Sequence, residues 1–303
     1  MKVLIIGLGS IAFKHISALK AINKDTEIYA LRSNNSKNSN IRVTDIFDWK
    51  QIPVDIDFII ISNPTSEHYD TIRRAIKLKK PLFIEKPPLL NLDNSEDLIN
   101  HVRQDNIVTY VAFNYRFHPV LIWLKDAVSD KRVIEVQAYC GSYLPAWRPT
   151  SDYRQIYSAS KELGGGVHLD LIHELDYLRW IFGLPEKVFG FISKKSDLEI
   201  NSADCAHYWL TYERMNISVI LNYYRIDAKR QLEIIFKDET WIADMLKFTV
   251  NSHDGKTLFS VKPDPMKLYY DQMVYFLDCI NNKKKIENDL EYSMESLRMA
   301  LSF

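Results

Sequence analysis

The chain has few cysteines, and those few form no recognisable pattern. Three occur in 303 residues, Cys140, Cys205 and Cys279, an odd number without CxxC spacing. This argues against a disulfide framework and against a cysteine-rich metal site. We expect buried thiols in a reducing cytosol and no bound metal.

The sequence also lacks a long apolar run and an excess of either charge. Its first apolar run ends at Gly7, too short for a signal peptide, and no later segment approaches the roughly twenty apolar residues of a membrane span. Thirty-nine basic residues balance 39 acidic ones, so no net field favours nucleic acid or membranes as partners. We expect a cytoplasmic protein, and its length together with 47% apolar residues predicts two domains.

The clearest motif opens the chain. Residues 2–6 predict a buried strand that leads into Gly7-x-Gly9-x-x-Ala12, and a helix follows, with apolar spacing and one histidine at Ile11, His15, Leu19 and Ile22. In this context the glycines allow a tight turn and the approach of a pyrophosphate to the helix start. We predict cofactor contacts from Gly7, Gly9, Ser10 and Ile11. The alternative is a tight turn without a ligand.

The end of the second strand, residues 27–31, bears on the choice of cofactor. Arg32 and Ser33 stand where an acidic residue would accept the ribose hydroxyl of NAD, and a guanidinium suits the 2′-phosphate of NADP. NADP is therefore favoured over NAD. The alternative is that Arg32 is an exposed loop cation and that Lys37 binds the 2′-phosphate instead. A polar loop, a strand near 41–43 and a short helix near 46–51 are expected next.

A second strand end carries polar residues. Residues 58–62 predict a buried strand, which Pro64 stops, so that Asn63, Pro64 and Thr65 are expected to face the cofactor. His68 opens the following helix, predicted over 68–78. It is a candidate cofactor contact, although a histidine at a helix start is more often a surface residue.

The stretch from Pro81 to Pro88 holds the principal candidate for catalysis. Residues 82–84 predict a short parallel strand, and the two prolines after Lys86 prevent its continuation. Lys86 is thus expected at the carboxyl edge of the sheet, where ligands bind in open α/β folds. The alternative is a surface lysine before a turn.

Together these motifs resemble the Gfo/Idh/MocA family of NAD(P)-dependent oxidoreductases. The resemblance rests on Gly7-x-Gly9-x-x-Ala12-x-x-His15, Asn63-Pro64-x-x-x-His68, Glu85-Lys86-Pro87 and Asn114-Tyr115-Arg116-Phe117-x-Pro119. It implies an α/β fold with an N-terminal Rossmann doubly wound parallel sheet (1–115) and a C-terminal α/β domain with a large, mostly antiparallel sheet (116–303). It also implies hydride transfer at a sugar, cyclitol or nucleotide-sugar carbon, with Glu85 and Lys86 at the cofactor and Asn114 and Arg116 at the substrate.

The second half of the sequence supports this expectation. Residues 134–140, 206–212 and 216–224 alternate apolar and polar residues, as antiparallel strands with one covered face do. Trp209, Ile220 and Tyr224 lie out of phase with the inner set. The outer face is therefore a candidate subunit interface, and a homodimer or homotetramer is expected.

A glycine-rich stretch at 164–177 predicts the second part of the active site. A helix is expected after the three glycines, with Asp170, His173, Glu174 and Tyr177 on one face. The alternative is a solvated helix face. The family pattern places histidine four residues after the aspartate, whereas His173 is three after Asp170, so either a residue is deleted or Glu174 takes the histidine position.

These residues complete the predicted site. Lys86 and His173 are the candidate proton carriers, with Asp170 setting the imidazole tautomer, and Glu174 is a candidate substrate contact. The resemblance adds Trp147, Arg148 and Tyr153 as substrate-binding residues of a loop that reaches the substrate or the nicotinamide. Arg148 suits an anionic or phosphorylated group, and the alternative is a salt bridge within the loop. Three alternatives stay open: a noncatalytic dinucleotide sensor, an assembly protein whose glycines only turn the chain, and a reductase of an imine or tetrapyrrole-like substrate.

Overall fold

The computed structural model describes residues 1–33 and 43–302. The chain forms two compact units. The first comprises the described residues of Met1–Asn114 together with Pro265–Met294, and the second comprises Tyr115–Asp264 with residues 295–302. The predicted second domain, 116–303, therefore includes a segment that packs within the first unit.

The described residues of the first unit form one parallel sheet. Its strands are β1 (Lys2–Ile6), β2 (Glu27–Leu31), β3 (Thr44–Ile46), β4 (Phe58–Ile61), β5 (Leu82–Ile84) and β6 (Thr109–Val111). They lie in the order β3-β2-β1-β4-β5-β6, and every neighbouring pair is parallel. The order reverses beside β1, so the polar residues that follow β1, β2, β4 and β5 share the carboxyl edge of the sheet. The predicted Rossmann sheet is confirmed.

Helices connect several of these strands, and further helices belong to the second unit. In chain order the helices of the described residues are α1 (Ser10–Ile22), α2 (His68–Ile76), α3 (Ser95–Gln104), α4 (Pro119–Ala127), α5 (Val167–Asp170), α6 (His173–Phe182), α7 (Lys267–Asn282) and α8 (Leu290–Leu301). Between β2 and β3, Lys37 and most of the predicted strand at 41–43 lie outside the described residues. The short helix expected near 46–51 is a 3₁₀ turn over Trp49–Gln51.

The core of the first unit depends on α7. Phe276 of α7 makes ring contacts with Phe58, Phe83 and Tyr110, with centroid distances of 5.1, 5.4 and 5.7 Å. All four rings are fully buried. The apolar face of α7 thus belongs to the core of the Rossmann sheet.

A larger sheet forms the second unit. Its strands are β7 (Val133–Gly141), β8 (Lys187–Ser193), β9 (Cys205–Tyr212), β10 (Met215–Asn222), β11 (Lys229–Phe236), β12 (Thr240–Asp244), β13 (Thr249–Ser252) and β14 (Thr257–Ser260). Their order is β14-β13-β12-β11-β7-β10-β9-β8, and only β7 with β10 is parallel among the described strands. The predicted mostly antiparallel sheet is confirmed.

One face of this sheet carries large aromatic side chains. Phe189 of β8 pairs in register with Trp209 of β9, and Phe191 lies two residues further along β8. These three residues, the outer aromatic face, are 58%, 44% and 54% exposed. Tyr208 and Leu210, which alternate with Trp209, are buried. The alternation predicted for 206–212 is confirmed, whereas the strand predicted to reach Tyr224 ends at Asn222, and Ile220 and Tyr224 are half-buried.

The prediction of a single helix after the glycines was wrong. The chain forms α5, leaves helical geometry at Leu171 (φ −99°, ψ 24°), and begins α6 at His173. Asp170 and His173 therefore lie on two short helices and not on one continuous face.

The three cysteines are buried free thiols, as expected. Among residues 1–33 and 43–302, no helix has the length and apolar character to cross a membrane.

Candidate active site

The turn between β1 and α1 has the geometry that a dinucleotide requires. Gly7 has φ +87°, and a Cβ there would lie 2.5 Å from the backbone N and Cα of Asn63. Gly9 forms the N-cap of α1 without a side-chain cap, and a Cβ there would meet nothing within 4 Å. Open space beside the start of a thirteen-residue helix suits a pyrophosphate. The residues present therefore fit a nicotinamide dinucleotide.

Arg32, the predicted 2′-phosphate ligand, lies beside an acidic partner. Its Nη1 is 2.8 Å from Oδ2 of Asp45 on β3, and its side chain is only 8% exposed. The backbone N–H of Arg32 also bonds the carbonyl oxygen of Ile46 at 3.0 Å. Ser33 is exposed. The alternative of an exposed loop cation at Arg32 was wrong.

The polar residues after β4 are held close to the glycine turn. Asn63 Nδ2 donates to Glu67 at 3.0 Å and to Thr71 at 2.8 Å, whereas its buried Oδ1 has no hydrogen-bond partner among the described residues. Pro64 precedes the 3₁₀ turn Thr65–Glu67, and Thr65 is buried. A buried, unpartnered amide oxygen at this edge is a further feature that fits a bound carboxamide or ribose donor.

His68 is a buried residue of the loop framework, and the surface alternative was wrong. Its Nε2 lies 3.0 Å from the carbonyl oxygen of Asn63, and its Nδ1 lies 3.1 and 3.2 Å from the carbonyl oxygens of Pro87 and Pro88. Burial lowers its pKa. The ring thus joins the end of β4 to the segment that follows Lys86.

Lys86 emerges from a tightly held turn after β5. The preceding residue, Glu85, places Oε1 2.5 Å from Nε2 of His15 and accepts the backbone N–H of Lys86 on Oε2 at 3.2 Å. Pro87 and Pro88 are buried, whereas Lys86 is half-buried. Lys86 therefore follows a carboxylate side chain bonded to one buried histidine, His15, and precedes two backbone carbonyls that face another, His68.

In the second unit, the glycines before α5 make room for the chain itself. A Cβ at Gly165 would lie 2.4 Å from the carbonyl oxygen of Tyr157, and one at Gly166 would lie 2.8 Å from the ring of His168. The backbone at these glycines thus closely approaches other protein backbone and a half-buried imidazole. It places α5 directly after the turn.

Asp170 ends α5 beside a buried tyrosine. The Tyr223 hydroxyl donates to Oδ2 of Asp170 at 2.6 Å, and burial together with this carboxylate raises the pKa of Tyr223. The Trp147 ring packs edge-on against Tyr223 at 5.3 Å, and its indole N–H donates to Ser142 Oγ at 2.8 Å. Trp147 keeps 36% of its surface exposed. An accessible aromatic ring therefore lies near the candidate catalytic aspartate.

His173 and Glu174 occupy different surroundings at the start of α6. The His173 ring packs against the Tyr115 ring at 5.1 Å, and the Arg230 guanidinium covers the same tyrosine at 3.9 Å. Glu174 is fully buried; its Oε1 bonds Arg230 at 2.7 Å, and its Oε2 accepts the Tyr177 hydroxyl. Both carboxylate oxygens of Glu174 are bonded to protein side chains, which disfavours a substrate contact. The substrate contact of Glu174 stays a prediction.

The remaining candidates are distributed between buried and exposed positions. Arg116 forms a buried bidentate ion pair with Asp176, with N to O distances of 2.8 and 2.7 Å. Asn114 is buried at the start of a 3₁₀ turn, and Arg148 is exposed. The Tyr153 hydroxyl accepts the backbone N–H of Glu199 at 3.2 Å. The substrate contacts assigned to these residues stay predictions.

Two family models match most of the chain. Residues 1–113 match the oxidoreductase family with an NAD-binding Rossmann fold, and residues 123–241 match the GFO/IDH/MocA C-terminal domain. The chain belongs to the Gfo/Idh/MocA family. The resemblance predicted from the motifs is confirmed, and with it the class of NAD(P)-dependent oxidoreductases.

Individual relatives agree with this family assignment. Myo-inositol 2-dehydrogenase of Thermotoga maritima is 28% identical over 242 residues, which are 73% of this chain and 68% of that protein. UDP-N-acetylglucosamine 3-dehydrogenase of Acidithiobacillus ferrooxidans superposes with a TM-score of 0.81 at 19% identity, over 99% of this chain and 95% of that one. Levoglucosan dehydrogenase in complex with NADH gives a TM-score of 0.83 at 16% identity, over 99% and 94%. These structures establish the Gfo/Idh/MocA fold.

Sequence reasoning missed two residues that bond predicted site residues of this Gfo/Idh/MocA family member. Tyr223 lies 53 positions from its partner Asp170, and Arg230 lies 56 positions from its partner Glu174. Their proximity arises from the pairing of β10, β7 and β11, which local periodicity does not encode. The only signal was the polar pair Asn222-Tyr223 at a strand end.

Proposed function

We propose that this protein is an NAD(P)-dependent dehydrogenase or reductase that acts on a CH–OH carbon of a sugar, cyclitol or nucleotide-sugar. The observation that carries the proposal is the turn at Lys86, where a primary amine is held at the carboxyl edge of the sheet that also bears the glycine turn. The names of the relatives, which include inositol, levoglucosan and UDP-sugar dehydrogenases, support the substrate class.

The protein's own residues would handle the proton of the reaction. A bound nicotinamide supplies or accepts the hydride. Lys86 polarises the reacting oxygen or exchanges its proton, and His173 is the second proton carrier. Asp170, held by the Tyr223 hydroxyl, orients the imidazole. Trp147 offers an apolar ring surface to the substrate.

The choice between NADP and NAD is a separate part of the cofactor assignment. The fold binds a nicotinamide dinucleotide, and we favour NADP because Arg32 follows β2 where an acidic ribose ligand is absent. Asp45 competes for the same guanidinium. NAD is the alternative cofactor.

The remaining partner and location assignments follow from composition and surface. The proposed partner is a small, sugar-like molecule, with neither nucleic acid nor membrane involved, in the cytoplasm. A homodimer or homotetramer would bury the outer aromatic face, because three exposed aromatic side chains on one sheet surface are costly to leave in water.

A substrate panel tests the function directly. Sugars, inositols and nucleotide-sugars are each incubated with NAD or NADP, and absorbance of the reduced nicotinamide is recorded. Turnover of at least one polyol or nucleotide-sugar is expected. Tight cofactor binding with no turnover of any member would favour the dinucleotide sensor, and turnover of an imine alone would favour the reductase alternative.

The variant Lys86→Ala tests the assignment of the amine. We expect turnover to fall by roughly a hundredfold or more, the range of general acid–base catalysis, while cofactor affinity stays nearly unchanged. Lys77→Ala, at an exposed lysine after α2, is the matched control and should retain wild-type turnover. Near wild-type turnover of Lys86→Ala would remove Lys86 from the mechanism.

A further inference from the structure

His15 belongs to the glycine motif, yet no step of the proposed function uses it. Its side chain has no exposed surface, and its ring packs edge-on against Phe83 of β5 with 4.9 Å between centroids. Nε2 lies 2.5 Å from Oε1 of Glu85. The imidazole therefore links α1, the helix that begins at the dinucleotide turn, to the residue that precedes Lys86.

Glu85 has both carboxylate oxygens bonded within the protein. Oε1 faces His15, and Oε2 accepts the backbone N–H of Lys86. The backbone N–H of Glu85 bonds the carbonyl oxygen of Ile61 at 2.9 Å, which continues the sheet. With 8% of the residue exposed, Glu85 is better placed to hold the chain than to bind the cofactor, the role predicted from sequence.

We propose that His15 is a positioning residue that acts on Lys86 through Glu85. The imidazole holds the carboxylate, and the carboxylate holds the Lys86 peptide, so the amine keeps a defined position relative to the dinucleotide turn. His68 restrains the segment after Lys86 in the same way, from the start of α2. The proposal rests on the role of Lys86 under the proposed function.

The expected effect is large because hydride and proton transfer demand close geometry. A misplacement of about 1 Å can cost roughly a hundredfold in rate. Loss of the bond between His15 and Glu85 would release one of the two restraints on Lys86, while the glycine turn and the start of α1 would stay intact. The effect should therefore appear in kcat and not in cofactor affinity.

The first experiment compares His15→Phe with His15→Gln, using a substrate found in the panel. Phenylalanine keeps an aromatic ring against Phe83 but cannot bond Glu85, whereas the glutamine amide can donate a hydrogen bond from nearly the position of Nε2. We expect kcat of His15→Phe to fall at least tenfold, with KM and the cofactor Kd within twofold of wild type. His15→Gln should stay within threefold of wild-type kcat.

Controls separate positioning from a merely structural role. Ser17→Ala, on the exposed side of α1, should leave kcat unchanged. If His15→Phe does not fold, Glu85→Gln serves instead, because it keeps the side-chain shape and removes one acceptor; its kcat should fall at least fivefold. Wild-type kcat per folded molecule in His15→Phe or Glu85→Gln, or equal losses in His15→Phe and His15→Gln, would overturn the proposal.

A second experiment needs no substrate. The acetylation rate of Lys86 by acetic anhydride is measured by mass spectrometry relative to that of Lys77 in the same molecule. His15→Phe should change this ratio at least threefold, and an unchanged ratio would overturn the positioning role. If Lys86→Ala retains turnover, Lys86 has no catalytic role in the proposed function. The acetylation ratio still decides whether His15 positions Lys86.

Discussion

At the guanidinium of Arg32, the choice of cofactor is a competition between two anions. The Asp45 carboxylate lies 2.8 Å away, and the 2′-phosphate of NADP would need the same donor. Hydrogen bonds to charged groups contribute roughly 1.5–3 kcal/mol. The proposed preference for NADP thus depends on how readily Asp45 releases Arg32.

Substitutions at this pair should change the two cofactors differently. Arg32→Ala should weaken NADP binding roughly tenfold or more and leave NAD nearly unchanged, because only the 2′-phosphate loses its ligand. Asp45→Asn should strengthen NADP binding, since the competing charge is gone. Fluorescence titration of each variant with NADPH and NADH measures both effects. Equal loss of both cofactors in Arg32→Ala would contradict the assignment.

Two histidines in the second unit, one buried and one half-buried, should make its stability depend on pH. Burial lowers the pKa of His118 and of His168 to about 4, from an ordinary value of 6.5. Between these values the unfolded chain binds protons that the folded chain does not, so stability is fully present above pH 6.5 and falls as the pH drops toward 4. The slope approaches roughly 1.4 kcal/mol per pH unit for each histidine.

Urea unfolding at several pH values between 7.5 and 4.5 measures this slope. His168→Asn should reduce the slope, because one group that takes up a proton on unfolding has been removed. His101→Asn is the control, since the His101 side chain is 53% exposed, and it should leave the slope unchanged. A slope in His168→Asn identical to wild type would exclude His168 as a contributor.

Among the elements, α7 completes the core of the first unit although it lies far from the other elements of that unit in sequence. Phe276 contributes to an aromatic core with Phe58, Phe83 and Tyr110. A fragment of residues 1–115 lacks this ring and would expose the other three to water, at a cost of a few kcal/mol for each side chain. We expect the fragment not to fold cooperatively.

Circular dichroism and thermal unfolding of two fragments test the role of α7. Residues 1–115 alone should show no cooperative transition, whereas the same residues joined by a flexible linker to residues 265–294 should show one. The matched control carries Phe276→Ala in the joined fragment and should unfold at a lower temperature. A cooperative transition in the short fragment would contradict this expectation.

Local sequence patterns predicted most elements of the first unit because each buried parallel strand is a short apolar run bounded by Gly, Pro or Asn. Leu82–Ile84 was placed to the residue. The break between α5 and α6 was not predicted, since Leu171 and Ile172 have no helix-breaking side chains and tertiary packing decides their conformation. For the same reason Glu85 and Asp170 could be named from motifs, but their contacts with His15 and Tyr223 required the fold.

For the whole molecule, the outer aromatic face predicts self-association. Phe189, Phe191 and Trp209 project from one side of the eight-stranded sheet, and a two-fold axis would bring two such faces together. Light scattering at micromolar concentration should give at least a dimer. Trp209→Glu should shift the mass toward the monomer, whereas Val54→Glu, at a 93% exposed position of the first unit, should not. A monomer in the wild-type protein would contradict the prediction.

The place of α7 in the chain also determines when the first unit can be completed during synthesis. Phe276 leaves the ribosome about 160 residues after β6, and at translation rates of roughly 5–20 residues per second the delay is on the order of ten to thirty seconds. Throughout that interval the rings of Phe58, Phe83 and Tyr110 lack the partner that covers them in the finished protein. The nascent nucleotide-binding half, although made first, therefore keeps an incomplete aromatic core until α7 has been synthesised.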